Sequence, residues 1–494
     1  MGKRHMLDLG FIYIDIGLAL ILNILCIVSI IFIERKKPSE IIGWIIVIMF
    51  LPVLGFALYL LIGETTSKKM MVRFDRKRRY DSLFRERRLN YMPDILEHVH
   101  SQHDPIVNKH RDMIMMNERH GANVYTKNND ITLFTDAGEK YESLYNDILN
   151  AKRNIHLLYF IFKADATGQR FISLLAQKAR EGVEVRLLYD TIGSLKTRFS
   201  RFKEIIDAGG KVCKFFPLIN ILKINFRNHR KVVVVDGEIA YTGGMNIGDE
   251  YIGGHKRAKP WRDTHLRVTG SSVSSFQERF ILDWDHISNE KFDFDDQEVF
   301  ARYFPEPDPG NTGKMAAQVV SSGPDVETEY IKLSYIKMIN NAKKYVYMQS
   351  PYFIPDEAFM ISLKMAVDSG VDVRLIIPGI PDKKFVYVLT TSYLEELLKN
   401  NVKVYLYNGF IHSKMFIMDG EVTSIGTANI DNRSFVLDFE INIFVYDEEF
   451  SAKCERIFLD DVENSSRASI EQAKKRGLFR RMAESIMRIF SPLL

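Results

Sequence analysis

His229-Arg-Lys231-Val-Val-Val-Val-Asp236 and His412-Ser-Lys414-Met-Phe-Ile-Met-Asp419 are the two stretches that decide how this chain is organised. After six intervening residues, Gly243-Gly-Met-Asn246 follows the first and Gly426-Thr-Ala-Asn429 the second, and every paired position differs by 183. A lone His-x-Lys carries no information. Two copies of His-x-Lys-x4-Asp-x6-Gly-x-x-Asn in register mark a duplication. A duplication kept only for packing would preserve apolar spacing without needing a His and a Lys twice.

The spacing also points to chemistry. Residues i and i+2 of a strand face the same side, so each His points with its Lys. The four apolar residues that follow read as buried strand, and Asp-Gly supplies a turn in both copies. If the copies pair about a pseudo-twofold axis, two imidazoles, two ammonium groups and two amides meet in one pocket. That set suits a phosphodiester: Lys231 and Lys414 neutralise the non-bridging oxygens, and Asn246 and Asn429 donate hydrogen bonds to them. One histidine attacks phosphorus while the other protonates the departing alkoxide. These roles need opposite protonation states, which a coupled pair adopts near neutral pH. Because the lysines supply the charge, neither a metal nor another cofactor is expected.

Around the motifs, strand-like and helix-like segments alternate from about Asn129. Ile155–Ile161 and Val183–Tyr189 flank a helical stretch, Gln169 to Arg180. The order returns as Tyr345–Gln349, a helix around Glu357 to Asp368, and Val371–Ile377. Gly182-Val-Glu-Val-Arg-Leu recurs as Gly370-Val-Asp-Val-Arg-Leu, and the Pro- and Gly-bearing stretch Pro305–Gly313 is the natural junction. The expected architecture is α/β, with two halves, 121–308 and 309–465, carrying mixed sheets around the pseudo-twofold axis.

The N-terminal part differs in character. Residues 10–33 are apolar apart from Asp15 and Asn23, and residues 41–62 hold no charge. Each run is long enough for a bilayer's ~30 Å hydrocarbon core, and Pro52 is tolerated in a membrane helix. Residues 1–66 are therefore expected to be an anchor of two transmembrane helices. Residues 68–90 hold ten Lys or Arg against three acids, +7 within a net +4 for all 494 residues. This basic juxtamembrane linker, 67–120, predicts a multi-pass protein of the cell membrane with its catalytic part cytoplasmic. Cys26, Cys213 and Cys454 are too far apart for a disulfide framework and form no Cys-x-x-Cys pair.

With both motifs in view, the sequence resembles the phospholipase D superfamily over roughly residues 120 to 465 and, within it, the bacterial cardiolipin synthases. The narrower resemblance rests on Pro38-Ser-Glu, Trp44, Leu51-Pro-Val-Leu-Gly and Tyr59-Leu-Leu-Ile-Gly63 in the anchor. It also rests on Asn228-His-Arg-Lys, Trp261-Arg-Asp-Thr-His265, Gln349-Ser-Pro-Tyr-Phe-Ile-Pro355 and Ser491-Pro-Leu-Leu. The resemblance implies a phosphohistidine intermediate and transfer of a phosphatidyl group between two phosphatidylglycerol molecules, giving cardiolipin and glycerol. It further implies that an acid beyond each motif supports a catalytic His: Glu440, 28 residues past His412, and Asp263, 34 past His229. Asp236 and Asp419 are expected to organise their turns rather than touch phosphate.

The rival activities are a phospholipase D-type hydrolase, a transferase using another alcohol, and a membrane-tethered nuclease. The two apolar spans favour lipid over nucleic acid, so phosphatidylglycerol and anionic membrane lipid are the expected partners, with no nucleic acid and no obligate protein partner. His98, His100 and His103 lie in a charge-rich stretch and read as surface histidines rather than a metal site. Gly243–Gly248 lacks the Gly-Lys-Ser/Thr of a P-loop. Tyr352 and Phe353 are expected to line a lipid entrance. The tail, 466–494, reads as an amphipathic helix, with Leu478, Phe479, Met482, Ile486, Ile489 and Phe490 on one face and arginines on the rest, suited to a membrane surface.

Overall fold

Strands covered on both faces carry almost unbroken apolar runs, and the two halves are built around such strands. The computed structural model describes residues 104–489 except 122–123, 217–224, 255–259, 289, 307–312 and 327, with parts of 21–59. The first half holds β1 (Tyr125–Phe134), β2 (Asn154–Tyr159), β3 (Glu184–Asp190), β4 (Lys211–Phe215), β5 (Arg227–Asn228), β6 (Val232–Val235), β7 (Ile239–Gly243), β8 (Trp261–Arg262) and β9 (His265–Thr269). In the second half are β10 (Met315–Ser322), β11 (Tyr345–Gln349), β12 (Phe353–Ile354), β13 (Asp372–Pro378), β14 (Lys403–Tyr407) and β15 (Phe410–Ile411). It continues with β16 (Met415–Met418), β17 (Val422–Gly426), β18 (Ile430–Asp431), β19 (Asp438–Tyr446) and β20 (Ser465–Arg467).

Outward from the middle, the first half runs β1-β9-β7-β6-β2-β3-β4 and the second β10-β19-β17-β16-β11-β13-β14-β20. The sequence predicts mixed sheets in two halves; in the structure these are joined. β1 and β10 pair antiparallel, with Tyr125 opposite Gln318, so one large mixed sheet crosses the molecule. Pairing satisfies backbone groups that two separate edges would leave open. Apart from β20 the strand order is the same on either side of this seam, which is the pseudo-twofold relation.

The four valines of β6 show how the sheet divides its cores. Val233 and Val235 pack with helices Ala137–Leu149 and Ala166–Arg180, whereas Val232 and Val234 join a second core that runs into the other half. This is the period-two alternation of a strand. Asp136 and Asp165 begin the two helices by accepting from the N–H groups of Glu139 and Gly168.

Two expected features differ. The end of the basic linker is folded: helix Pro105–Gly121 buries Val107, Met113 and Ile114 in the core, and the Gln318 side-chain amide donates to the Ile114 carbonyl. Phe353 is fully buried in β12 and lines no entrance. Among the described residues no helix is long and apolar enough to cross a membrane; helix Pro38–Phe50 is described, and much of both apolar runs lies outside the described residues. Within what is described, Cys26, Ile30, Trp44, Ile48 and Tyr59 bury against one another, while Ile42, Ile46, Met49 and Phe50 are exposed. His98, His100 and His103 also lie outside the described residues.

Candidate active site

The strand ends set the site. β5 runs parallel to the start of β19, with Arg227 opposite Asp438 and Asn228 opposite Phe439. One step further along this register, His229 meets Glu440. The same device recurs between β15 and β8: Phe410 lies opposite Trp261 and Ile411 opposite Arg262, which brings His412 to Asp263. His229 Nδ1 is 2.9 Å from Glu440 Oε1, and His412 Nδ1 is 2.7 Å from Asp263 Oδ2. Each histidine is thus held by a carboxylate of the opposite half. The spacing of the two acids is unequal because 17 positions separate Asn246 from Asp263 and only 11 separate Asn429 from Glu440. The extra residues fall in and around the irregular turn Glu250–Gly254.

The surroundings of the carboxylates differ. Thr427 donates its hydroxyl to Glu440 Oε2. Its counterpart is Gly244, where a Cβ would lie 2.0 Å from Asp263 Oδ1, so only glycine leaves room for that carboxylate. Burial pushes Glu440 up to about 7, opposed by Lys231 and by the Thr427 hydrogen bond. His229 is held well below the ordinary imidazole range by burial, reinforced by Lys231, Lys414 and His412. His412 is also lowered by burial and by Lys414, but Asp263 opposes the shift through its charge and hydrogen bond.

Both lysines stand over the histidine ahead of them. Lys231 donates to the His229 carbonyl at 2.6 Å, and Lys414 does the same to that of His412. Burial lowers Lys231 to about 7 and Lys414 to about 8, with Glu440 and Asp263 opposing both shifts. The four groups lie close enough to act electrostatically on one another, so both motifs do meet in one site.

The asparagines are not equivalent. Asn246 accepts from the Ile161 N–H at 3.0 Å and donates to the Tyr251 hydroxyl, so its amide is already engaged. Asn429 Oδ1 has no partner among the described residues. Asp236 and Asp419 behave alike. Asp236 accepts from the N–H groups of Lys152, Arg153 and Asn154, and Asp419 from those of Lys343, Lys344 and Tyr345, all within 2.9 Å. Both lie at positive φ, a conformation short polar side chains tolerate, and both carboxylates serve the turn rather than the site.

Sequence reasoning missed the aromatic walls. Phe160 packs edge-on against His229 at 4.8 Å between ring centroids, and Trp261 and Phe410 lie 5.5 and 5.9 Å from His412. Phe160 lies in a run that reads as buried strand, Trp261 stands in the quoted Trp261–His265 stretch with no role of its own, and only the fold brings them and Phe410 to the histidines. Tyr352 donates to Asp382 Oδ2 at 2.6 Å, and the neighbouring Lys383 is among the cations whose charge bears on His229.

The family model described as "Cardiolipin synthase, PLD-like domain" matches residues 144–256 and 335–462, and one described as "Phospholipase_D-nuclease N-terminal" matches 21–64. Cardiolipin synthase of Listeria monocytogenes is 43% identical over 98% of this chain and all of its own. That of Oceanobacillus iheyensis is 42% identical with the same coverage, and that of Staphylococcus aureus 43% identical over 96% of each chain. The crystal structure of phosphatidylserine synthase from Haemophilus influenzae superposes with a TM-score of 0.58 at 13% identity, over 78% of this chain and all of that one, which is a likeness of fold. Matched along nearly its whole length and in both motif-bearing halves, the chain belongs to the bacterial cardiolipin synthases of the phospholipase D superfamily.

Proposed function

We propose that the enzyme moves a phosphatidyl group from one phosphatidylglycerol to another through a phosphohistidine, releasing glycerol and forming cardiolipin. One observation carries this reading: two imidazoles, each bonded at Nδ1 to a carboxylate from the other half, flank a site with two buried lysines. Nδ1–H donation to the carboxylate fixes the tautomer and leaves Nε2 as the reacting nitrogen. His229, whose lowering by burial is reinforced by the cations around it, is assigned as the nucleophile. His412, whose proton Asp263 helps retain, is the general acid.

In the first displacement His229 Nε2 bonds to phosphorus, the bond to the glycerol oxygen breaks, and His412 gives that oxygen its proton. His412, now neutral, takes a proton from the second phosphatidylglycerol's hydroxyl, whose oxygen displaces His229 from phosphorus. Lys231 and Lys414 neutralise the phosphoryl oxygens throughout, with Asn429 as a further donor. The aromatic walls exclude water, which would otherwise compete for the intermediate. The apolar N-terminal runs, 10–33 and 41–62, anchor this site to the bilayer as two spanning helices, with the catalytic part cytoplasmic.

Purified enzyme and phosphatidylglycerol vesicles should yield cardiolipin and glycerol. Phosphatidic acid as the main product would instead make it a hydrolase. His229→Ala and His412→Ala should each abolish turnover about as fully as the double variant, because the pair acts as a unit. Substantial activity in either single variant would contradict the shared site.

A further inference from the structure

The C-terminal helix Leu478–Ile489 packs on helix Lys384–Ser392, and it does so with a mainly charged side on which Met487 also meets the core. Arg476, just ahead of the helix and 8% exposed, pairs with the equally buried Glu484 at 3.0 Å and donates to the Thr391 carbonyl at 2.9 Å. Arg488 donates to the Ser392 carbonyl at 2.8 Å and lies over the Tyr393 ring at 4.2 Å. The sequence predicts arginines facing an anionic surface; the structure uses two of them as a clamp to the catalytic half. Phe479 and Met482 point away from the protein, 88% and 53% exposed, and Phe385 on the supporting helix is 43% exposed.

From this inverted docking we infer that the two helices form a lipid-contact face, with the C-terminal helix held rigidly so that Phe479 and Met482 enter a bilayer. The inference deepens the proposed phosphatidyl transfer by stating how the site meets its substrate. A bilayer is the occupant the surroundings favour. Arg481 is exposed beside the apolar side chains, and Arg480, paired with Glu484, keeps about half of its side chain exposed, which is the charge pattern of an interfacial helix on anionic lipid. Elsewhere in the chain, helix Pro38–Phe50 also leaves Ile42, Ile46, Met49 and Phe50 exposed. A second copy fits less well, because two protruding side chains offer far less than the ~800 Å² per partner of a stable dimer. The supporting helix begins next to Lys383, whose charge bears on His229.

The test uses the full chain. A polarity-sensitive dye on Phe479→Cys, with Cys26, Cys213 and Cys454 changed to Ala, should shift to the blue on phosphatidylglycerol vesicles and far less on phosphatidylcholine vesicles. Independently, Phe479→Ser with Met482→Ser in the otherwise natural chain should lower turnover of vesicle lipid by about tenfold while keeping turnover of a monomeric short-chain phosphatidylglycerol. Both substituted side chains are exposed, so folding is preserved. No blue shift together with the parental vesicle rate would overturn the inference. So would a blue shift that follows protein concentration in detergent, which means a second copy covers the face. If the parent makes no cardiolipin, the proposed function fails while the dye still reports on the surface.

Discussion

Gly244 and Thr427 occupy equivalent positions, and the difference between them decides how each carboxylate is held. Gly244→Ala would put a methyl group where Asp263 Oδ1 lies, displacing the partner of His412. A loss of general acid–base catalysis on the order of 100-fold is expected, together with a lowered melting temperature from the overpacked site. Steady-state rates and a melting curve of the variant check both parts. Residue chemistry also sets the pH dependence. Lys231 and Lys414 are lowered to about 7 and 8, so raising the pH through that range removes positive charge from the free enzyme's site. The kcat/KM should therefore fall above pH ~8. The alkaline limb of kcat should lie higher, because bound phosphate favours the charged lysines. A kcat/KM unchanged between about pH 7 and 10 would contradict the lysines' role.

At the scale of elements, the motif aspartates make the prediction. Asp236 and Asp419 each accept three backbone N–H groups at the turn that locks a motif hairpin to the neighbouring central strand. Asp236→Ala orphans part-buried and buried donors and should cost about 3 kcal/mol of stability in urea unfolding, and Asp419→Ala less, because water reaches two of its three donors. Much of this level was legible in the sequence. His-x-Lys and the apolar run are local strand signals, and Asp-Gly is a local turn signal, so the duplicated hairpins could be placed without coordinates. The cross-half pairings could not. β5, β8 and β15 are two residues long, too short for any periodicity, and the register they impose is tertiary. For the same reason the sequence could nominate Glu440 and Asp263 through resemblance but could not show that each serves the other half's histidine. Helix Pro105–Gly121 was hidden for another reason: its residues are strongly mixed in polarity, and its burial comes from contacts with β10 and helix Tyr330–Asn341.

Across the whole molecule, the proposed anchor and the catalytic part make a prediction about sidedness. In sealed cells, a membrane-impermeant thiol reagent should label Lys36→Cys, in the loop between the apolar runs. It should reach Leu195→Cys, 62% exposed on the catalytic part, only after permeabilisation. Labelling of Leu195→Cys from outside would reverse the orientation. The continuous sheet bears on what can move: hydrogen-bonded across β1 and β10, the halves cannot hinge apart at the seam without breaking that ladder. The crossed histidine–carboxylate pairs have a consequence for how such a site can diversify. Two identical copies of one half, associated as a homodimer, must always present the same imidazole–carboxylate couple twice. Joining the copies in one polypeptide lifts that symmetry. A substitution in one half then alters a single couple, so Glu with Thr on one side and Asp with Gly on the other become accessible as separately inherited settings of the two histidines.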